Sequence, residues 1–150
     1  MMTLVARTLT DQDYSERPWP EPGTTRTSYL LPQVPTELAP VVLRLRELLD
    51  LREAWDSYGA RRVRPDAARA ALRILVSTGW TGPLPSVAPT SLGGVLLEWG
   101  NDVDGVEIEC GPEGFVTVLT DIRGQMEEWT ATGPDDPRLT EALAWAEKLA

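Results

Sequence analysis

Val106-Glu107-Ile108-Glu109-Cys110 alternates apolar and acidic side chains without a break. Successive side chains of a strand point to opposite faces, so this stretch buries Val106, Ile108 and Cys110 and turns Glu107 and Glu109 to water. The pattern extends outward in both directions. Upstream, Val95-Leu96-Leu97-Glu98-Trp99 is a strand after the Gly93-Gly94 turn, and Gly100-Asn101-Asp102-Val103-Asp104-Gly105 is a hairpin loop. Downstream, Gly111-Pro112-Glu113-Gly114 is a turn into a strand over 115–121, with a further strand over 125–132. Ser86 to Pro89 reads as a short edge strand, limited by its proline. These segments predict an antiparallel meander of three to five strands with one buried and one wet face.

The flanks are helical. Leu38, Val41, Val42, Leu45, Leu48 and Leu49 repeat at helical spacing and predict a helix to about Ala54, with Thr36 as its cap and Pro40 in its first turn. Arg46 with Asp50, and Arg52 with Asp56, are spaced for ion pairs on it. Leu43 and Leu51 fall off the main stripe and suggest a second covered side, against the arm or another subunit. Gly59 suits a helix stop, and Pro65 with Asp66 opens a second helix. Its stripe is Ala68, Ala71, Leu72, Leu75 and Val76, it ends at Gly79, and its small alanines suit an αα-hairpin with the first helix. Asp136 caps and Pro137 opens a last helix, with Leu139, Ala142, Leu143, Ala146 and Leu149 on its apolar stripe. The expectation is an α+β fold: an N-terminal helix pair, the meander, and a C-terminal helix on one sheet face. Residues 1–36, rich in Pro and Thr, are expected to form an arm, partly disordered or draped, with an edge strand over 3–9 and with Trp19 either anchoring it to the domain or exposed as an extended motif for a partner groove; residues 37–150 are expected to form one domain.

Composition narrows the chemistry. The 150 residues contain no histidine, so no Ser-His-Asp or Cys-His machinery and no histidine-containing zinc site can be built. The one cysteine, Cys110, can make neither an internal disulfide nor a thiolate cluster, and its strand parity makes it a small buried hydrophobe. No Gly-rich stretch has Rossmann or P-loop spacing, so no nucleotide cofactor is expected. Asp102-Val103-Asp104-Gly105 fails as a calcium loop, because the ligand-bearing ends would fall on Gly100 and Gly111. No apolar run suits a signal peptide or a membrane span, and a cytoplasmic setting without a required oxidising compartment is expected.

The formal charge is −9, and residues 81–150 hold 13 acidic side chains against 3 basic ones. Such a chain repels phosphate backbones, so nucleic acid is not an expected direct partner, whereas a protein with a basic surface is. Candidate partner-binding residues are the aromatic and acidic groups at element ends and on the wet face: Trp55, Asp56, Tyr58, Glu98, Trp99, Glu107 and Glu109.

Two blocks carry a family resemblance. Trp55-Asp56-Ser57-Tyr58-Gly59-Ala60 followed by Pro65, and Pro85 through Val87-Ala88-Pro89-Thr90 to Gly93-Gly94-Val95-Leu96-Leu97-Glu98-Trp99, resemble a family of small uncharacterised bacterial and phage proteins. The resemblance spans roughly residues 40–120. It implies a prokaryotic or phage setting and the α+β order, and it transfers no catalytic role.

Three function classes remain. The leading one is a non-catalytic binding protein of the inhibitor, antitoxin, immunity or anti-defence type. The second is a carboxylate-based hydrolase, with or without a metal, using Glu98, Glu107 and Glu109. The third is a structural or assembly subunit that self-associates through Leu43, Leu51 and a spare tryptophan.

Overall fold

The computed structural model describes residues 34–149. The expected strand over 3–9 and the Trp19 anchor lie outside these residues. The chain divides into two units, Met1–Pro40 and Val41–Ala150. In the first, Thr36–Leu38 is a 3-10 turn whose cap position is Pro35, so Thr36 lies inside the turn rather than at its cap.

Among the described residues the helices are α1 (Ala39–Leu49), α2 (Pro65–Ser77) and α3 (Pro137–Ala146). Five strands follow α2 and precede α3: β1 (Ser86–Pro89), β2 (Val95–Gly100), β3 (Gly105–Cys110), β4 (Val116–Ile122) and β5 (Gln125–Ala131). They form one antiparallel sheet in the order β1-β2-β3-β4-β5. The fold is therefore α+β with a five-stranded meander, and the alternation of polarity set its two faces. Val87, Leu97, Ile108 and Val118 stand in one row across β1 to β4, and all four are buried. Val106 and Cys110 flank that row on β3 and are wholly buried. Helix α2 packs on β2 and β3, and α3 packs on β3 and β4.

The helix ends follow local chemistry. Pro137 starts α3, and the Asp136 carboxylate accepts the Arg138 N–H at 2.8 Å. Leu139, Ala142, Leu143, Ala146 and Leu149 are all buried, as their spacing predicted. Gly79, with φ +63, follows the end of α2. The α2 alanines serve the sheet rather than a tight αα-hairpin: Ala67, Ala68 and Ala71 are buried on a helix whose main neighbours are β2 and β3. Val76 is only half-buried, so Ile74 takes the core place expected of it.

Helix α1 stops at Leu49, five residues short of the predicted end. The cause is the connector over 50–64. Ala54 sits at φ +58, its N–H donates to the Ala60 carbonyl at 2.7 Å, and the Asp56 carboxylate accepts the N–H groups of Tyr58 and Ala60. This loop outcompetes another helical turn, because it satisfies the same backbone groups locally. Helical spacing is then lost beyond Leu49, and neither Arg46–Asp50 nor Arg52–Asp56 closes as an ion pair. The α1 pair is Arg44–Glu47 at 3.0 Å, and Arg44 Nε also donates to the Val87 carbonyl of β1 at 3.1 Å.

The connector is pinned to the turn between β1 and β2. Arg61 N–H donates to the Ser91 carbonyl and Arg64 N–H to the Gly93 carbonyl, both at 2.9 Å. Gly93 has φ +93, and a Cβ there would meet the Arg62 carbonyl oxygen at 2.8 Å. Only glycine satisfies both the backbone angle and the close approach. The Trp55–Ala60 block and the glycine-turn block thus belong to one structural unit.

Candidate functional site

The outer face of the sheet is set by register. Ser86, Glu98, Glu107, Leu119 and Glu128 form one row across all five strands. Glu98 and Glu107 are direct cross-strand partners. Toward one end of the sheet the next row is Gly100, Gly105, Asp121 and Met126; toward the other it is Ala88, Leu96, Glu109, Thr117 and Thr130. The outer face of the strands thus carries Glu98, Glu107, Glu109, Asp121 and Glu128, and no Lys or Arg.

At the Gly100–Gly105 end this face hollows into a concavity of about 790 Å³. Its acidic lining is Glu98, Glu107 and Asp121 from the strands, with Asp102 and Asp104 from the hairpin turn. No basic side chain lines it. The turn is rigid for a physical reason: the Asn101 side-chain oxygen accepts the N–H groups of Val103 and Asp104 at 2.8 Å each. Asp104 in turn accepts the Arg123 N–H at 2.8 Å, which ties this turn to the β4–β5 turn. Apolar groups rim the hollow, with Leu84 40%, Met126 67% and Val103 70% exposed. The hollow thus combines an exposed apolar rim with an acidic floor that no basic side chain in its lining neutralises.

Not every sequence candidate belongs here. Glu98 and Glu107 line the hollow, whereas Glu109 shares the face but lies outside it, opposite Leu96 and Thr117. Trp99 lines the hollow but is only 3% exposed, so little of its ring is open to a partner. Its indole packs against Trp80 with ring centroids 5.3 Å apart, and both indole N–H groups donate to the Pro83 carbonyl, at 2.8 Å from Trp99 and 2.9 Å from Trp80. The two rings brace the segment before β1. Trp55, Asp56 and Tyr58 sit on the connector and are not part of the hollow. Trp55 is half-buried and donates to the Arg61 carbonyl, and Tyr58 is 92% exposed. The Ala60 and Tyr58 N–H groups hold the Asp56 carboxyl below its ordinary value, so this residue organises its loop.

Asp102, Asp104, Asp121, Leu84, Val103 and Met126 were not among the sequence candidates. Asp121 could have been found by parity: two strands joined by a tight turn at Gly111–Gly114 place it on the face of Glu107. The rim residues come from loops and carry no periodic signal.

Among the described residues no helix is long and apolar enough to cross a membrane, and no group of three or more acidic or cysteine side chains is placed to hold a metal ion. Compared with protein-family models, curated proteins and solved structures, the chain matches none of them.

Proposed function

We propose that the chain is a non-catalytic protein-binding module that occludes a partner bearing a basic surface, as inhibitor, antitoxin, immunity and anti-defence factors do. The observation that carries this reading is the Glu98–Glu107 pair at the floor of the acidic hollow. Like charges directly opposite on a ladder cost stability, and here no cation in the lining offsets them. A basic partner would supply that cation on binding. The formal charge of −9 would speed encounter with such a partner at low salt. The exposed Val103, Met126 and Leu84 would provide the apolar contact that charge alone does not.

The test is paired affinity capture from the native host with quantitative mass spectrometry. Wild type is compared with Glu98→Lys/Glu107→Lys, and with Glu113→Lys at the far turn as a charge control. The reading expects one protein of basic surface that is lost with the double variant and kept with the control. Equal recovery by all three would refute it.

A further inference from the structure

The two edges of the sheet are not alike. At the mouth of the β1–β2 turn the Thr90 N–H donates to the Gly94 carbonyl at 3.0 Å. Bonded pairs alternate along an antiparallel ladder, so Ser86 and Ala88 face β2 while Val87 and Pro89 turn their backbone outward. Both outward positions are blunted: the Val87 carbonyl accepts Arg44 Nε at 3.1 Å, and Pro89 has no N–H. Such devices keep an edge strand from pairing with another chain.

The β5 edge has neither device. Arg123 and Gly124, at φ +54 and +76, form a two-residue turn between the paired Ile122 and Gln125. Such a turn closes on a bonded pair, so Gln125, Glu127, Trp129 and Ala131 bond to β4, and Met126, Glu128 and Thr130 present their N–H and C=O groups to the free side. All three residues are exposed, and among the described residues their outward groups have no hydrogen-bond partner. The register runs from Ile122–Gln125 to Val116–Ala131 without a bulge, and β5 contains no proline, glycine or lysine.

The side chains at this edge select its occupant by charge. Met126, Glu128 and Thr130 lie on the outer face, with Glu98, Glu107, Glu109 and Asp121 and no Lys or Arg. A second copy of the chain, pairing antiparallel about the middle of this edge, would set Glu128 against Glu128, and like charges directly opposite are unfavourable. A strand with a basic side chain at that place meets the opposite sign.

We infer that β5 takes an added strand from the partner, an extended segment with lysine or arginine at alternate positions. Its backbone bonds to Met126, Glu128 and Thr130, and its basic side chains lie on the acidic outer face. The inference rests on the proposed binding of a basic protein for the nature of the occupant, and on the ladder alone for the place.

The probe is a blocked peptide of alternating valine and lysine, as long as β5, titrated into the full chain. One control alternates valine and glutamate; the other alternates proline and lysine, equal in charge but unable to pair as a strand. Calorimetry reads affinity and backbone amide resonances read location. The valine-lysine peptide is expected to bind saturably and to shift the amides of Met126, Glu128 and Thr130 most, with both controls at least about tenfold weaker. Glu128→Pro removes the central outward N–H and leaves the β4 ladder intact, and it should weaken the peptide about tenfold or more. Glu128→Gln keeps that N–H and the fold, and should weaken it about 1.5- to fivefold, the range of one cross-strand charge pair. Absence of saturable binding, equal binding of either control, or unchanged affinity in either variant would overturn the inference. So would broadening of those three amides that grows with protein concentration in the absence of peptide, since a second copy would then hold the edge. Capture of a basic host partner beside an inert peptide removes only the added strand, whereas a bound peptide without any captured partner upholds the strand site and removes the reading it rests on.

Discussion

Glu98 on β2 faces Glu107 on β3 as a direct cross-strand pair, with no lysine or arginine in the hollow around them. Two carboxylates in this relation repel, so neutralising one should stabilise the fold. For Glu98→Gln the expected gain is about 0.2–1 kcal/mol, seen as a rise of about one to three degrees in melting temperature at low salt. The gain should shrink as salt is added, because the pair faces water. The same variant should bind a basic partner less well. A substitution that raises stability while lowering affinity would mark these residues as kept for binding. An unchanged or lower melting temperature would contradict the repulsion argument.

Gly93 and Gly124 separate two costs that are often confounded. Both have positive φ, +93 and +76, but a Cβ at Gly124 meets nothing within 4 Å, whereas at Gly93 it meets the Arg62 carbonyl at 2.8 Å. Gly124→Ala should cost about 1–2 kcal/mol, the strain of a left-handed backbone alone. Gly93→Ala should cost a further 1–3 kcal/mol or so, because the connector must move away from the turn. Urea unfolding of both variants measures the difference. Equal losses would mean the contact is easily relaxed.

Two buttressed aspartates should contribute to the response to acid. The Thr132 and Arg138 N–H groups hold the Asp136 carboxyl below the ordinary aspartate value of 3.8, and Ala60 and Tyr58 do the same for Asp56. A depressed folded value means that each contributes stability above about pH 4, and that this contribution fades as pH falls through the folded value. Melting temperature followed from about pH 6 to about pH 2 should therefore fall less steeply in Asp56→Asn/Asp136→Asn than in wild type, from a lower starting point. Parallel curves would show that these carboxylates do not govern acid sensitivity.

Cys110 is wholly buried on β3, and desolvation, with the neighbouring Glu109 charge, pushes its thiol up to about 12. A thiol is attacked through its thiolate, so Cys110 should resist a maleimide or disulfide reagent at pH 8 in the native protein. Labelling should appear only with denaturant, and its rate should track the unfolded fraction. Rapid stoichiometric labelling of the native chain would place the residue at the surface instead.

The faces of the sheet were legible because Val106, Ile108 and Cys110 alternate with acids, and that parity alone fixed which side is buried. The same parity puts Trp99 in line with Val95 and Leu97, so its burial could have been read. The pairing of Glu98 with Glu107 could not, since it depends on how many residues the Asn101–Asp104 turn spends. The early end of α1 was hidden because no proline or glycine stands between Leu49 and Gly59, and only the bonds that Asp56 accepts from Tyr58 and Ala60 show why the chain leaves the helix. That Arg123, Trp129, Arg138 and Trp145 line one cleft had no sequence signal at all: they come from a turn, a strand and a helix, and no spacing rule joins them.

Each strand pairs only with those just before and after it in the chain. Sheet formation thus requires no long loop to close before a hairpin is rewarded, and the entropy of each closure is small. A ribosome extruding this polypeptide would release it in an order that lets pairing spread from one hairpin to the next, with β5 added last. Until then the row of backbone amides on β4 would be the growing margin, so cotranslational capture by a neighbouring nascent chain, measurable by ribosome-bound pulldown, should peak between the emergence of those two strands.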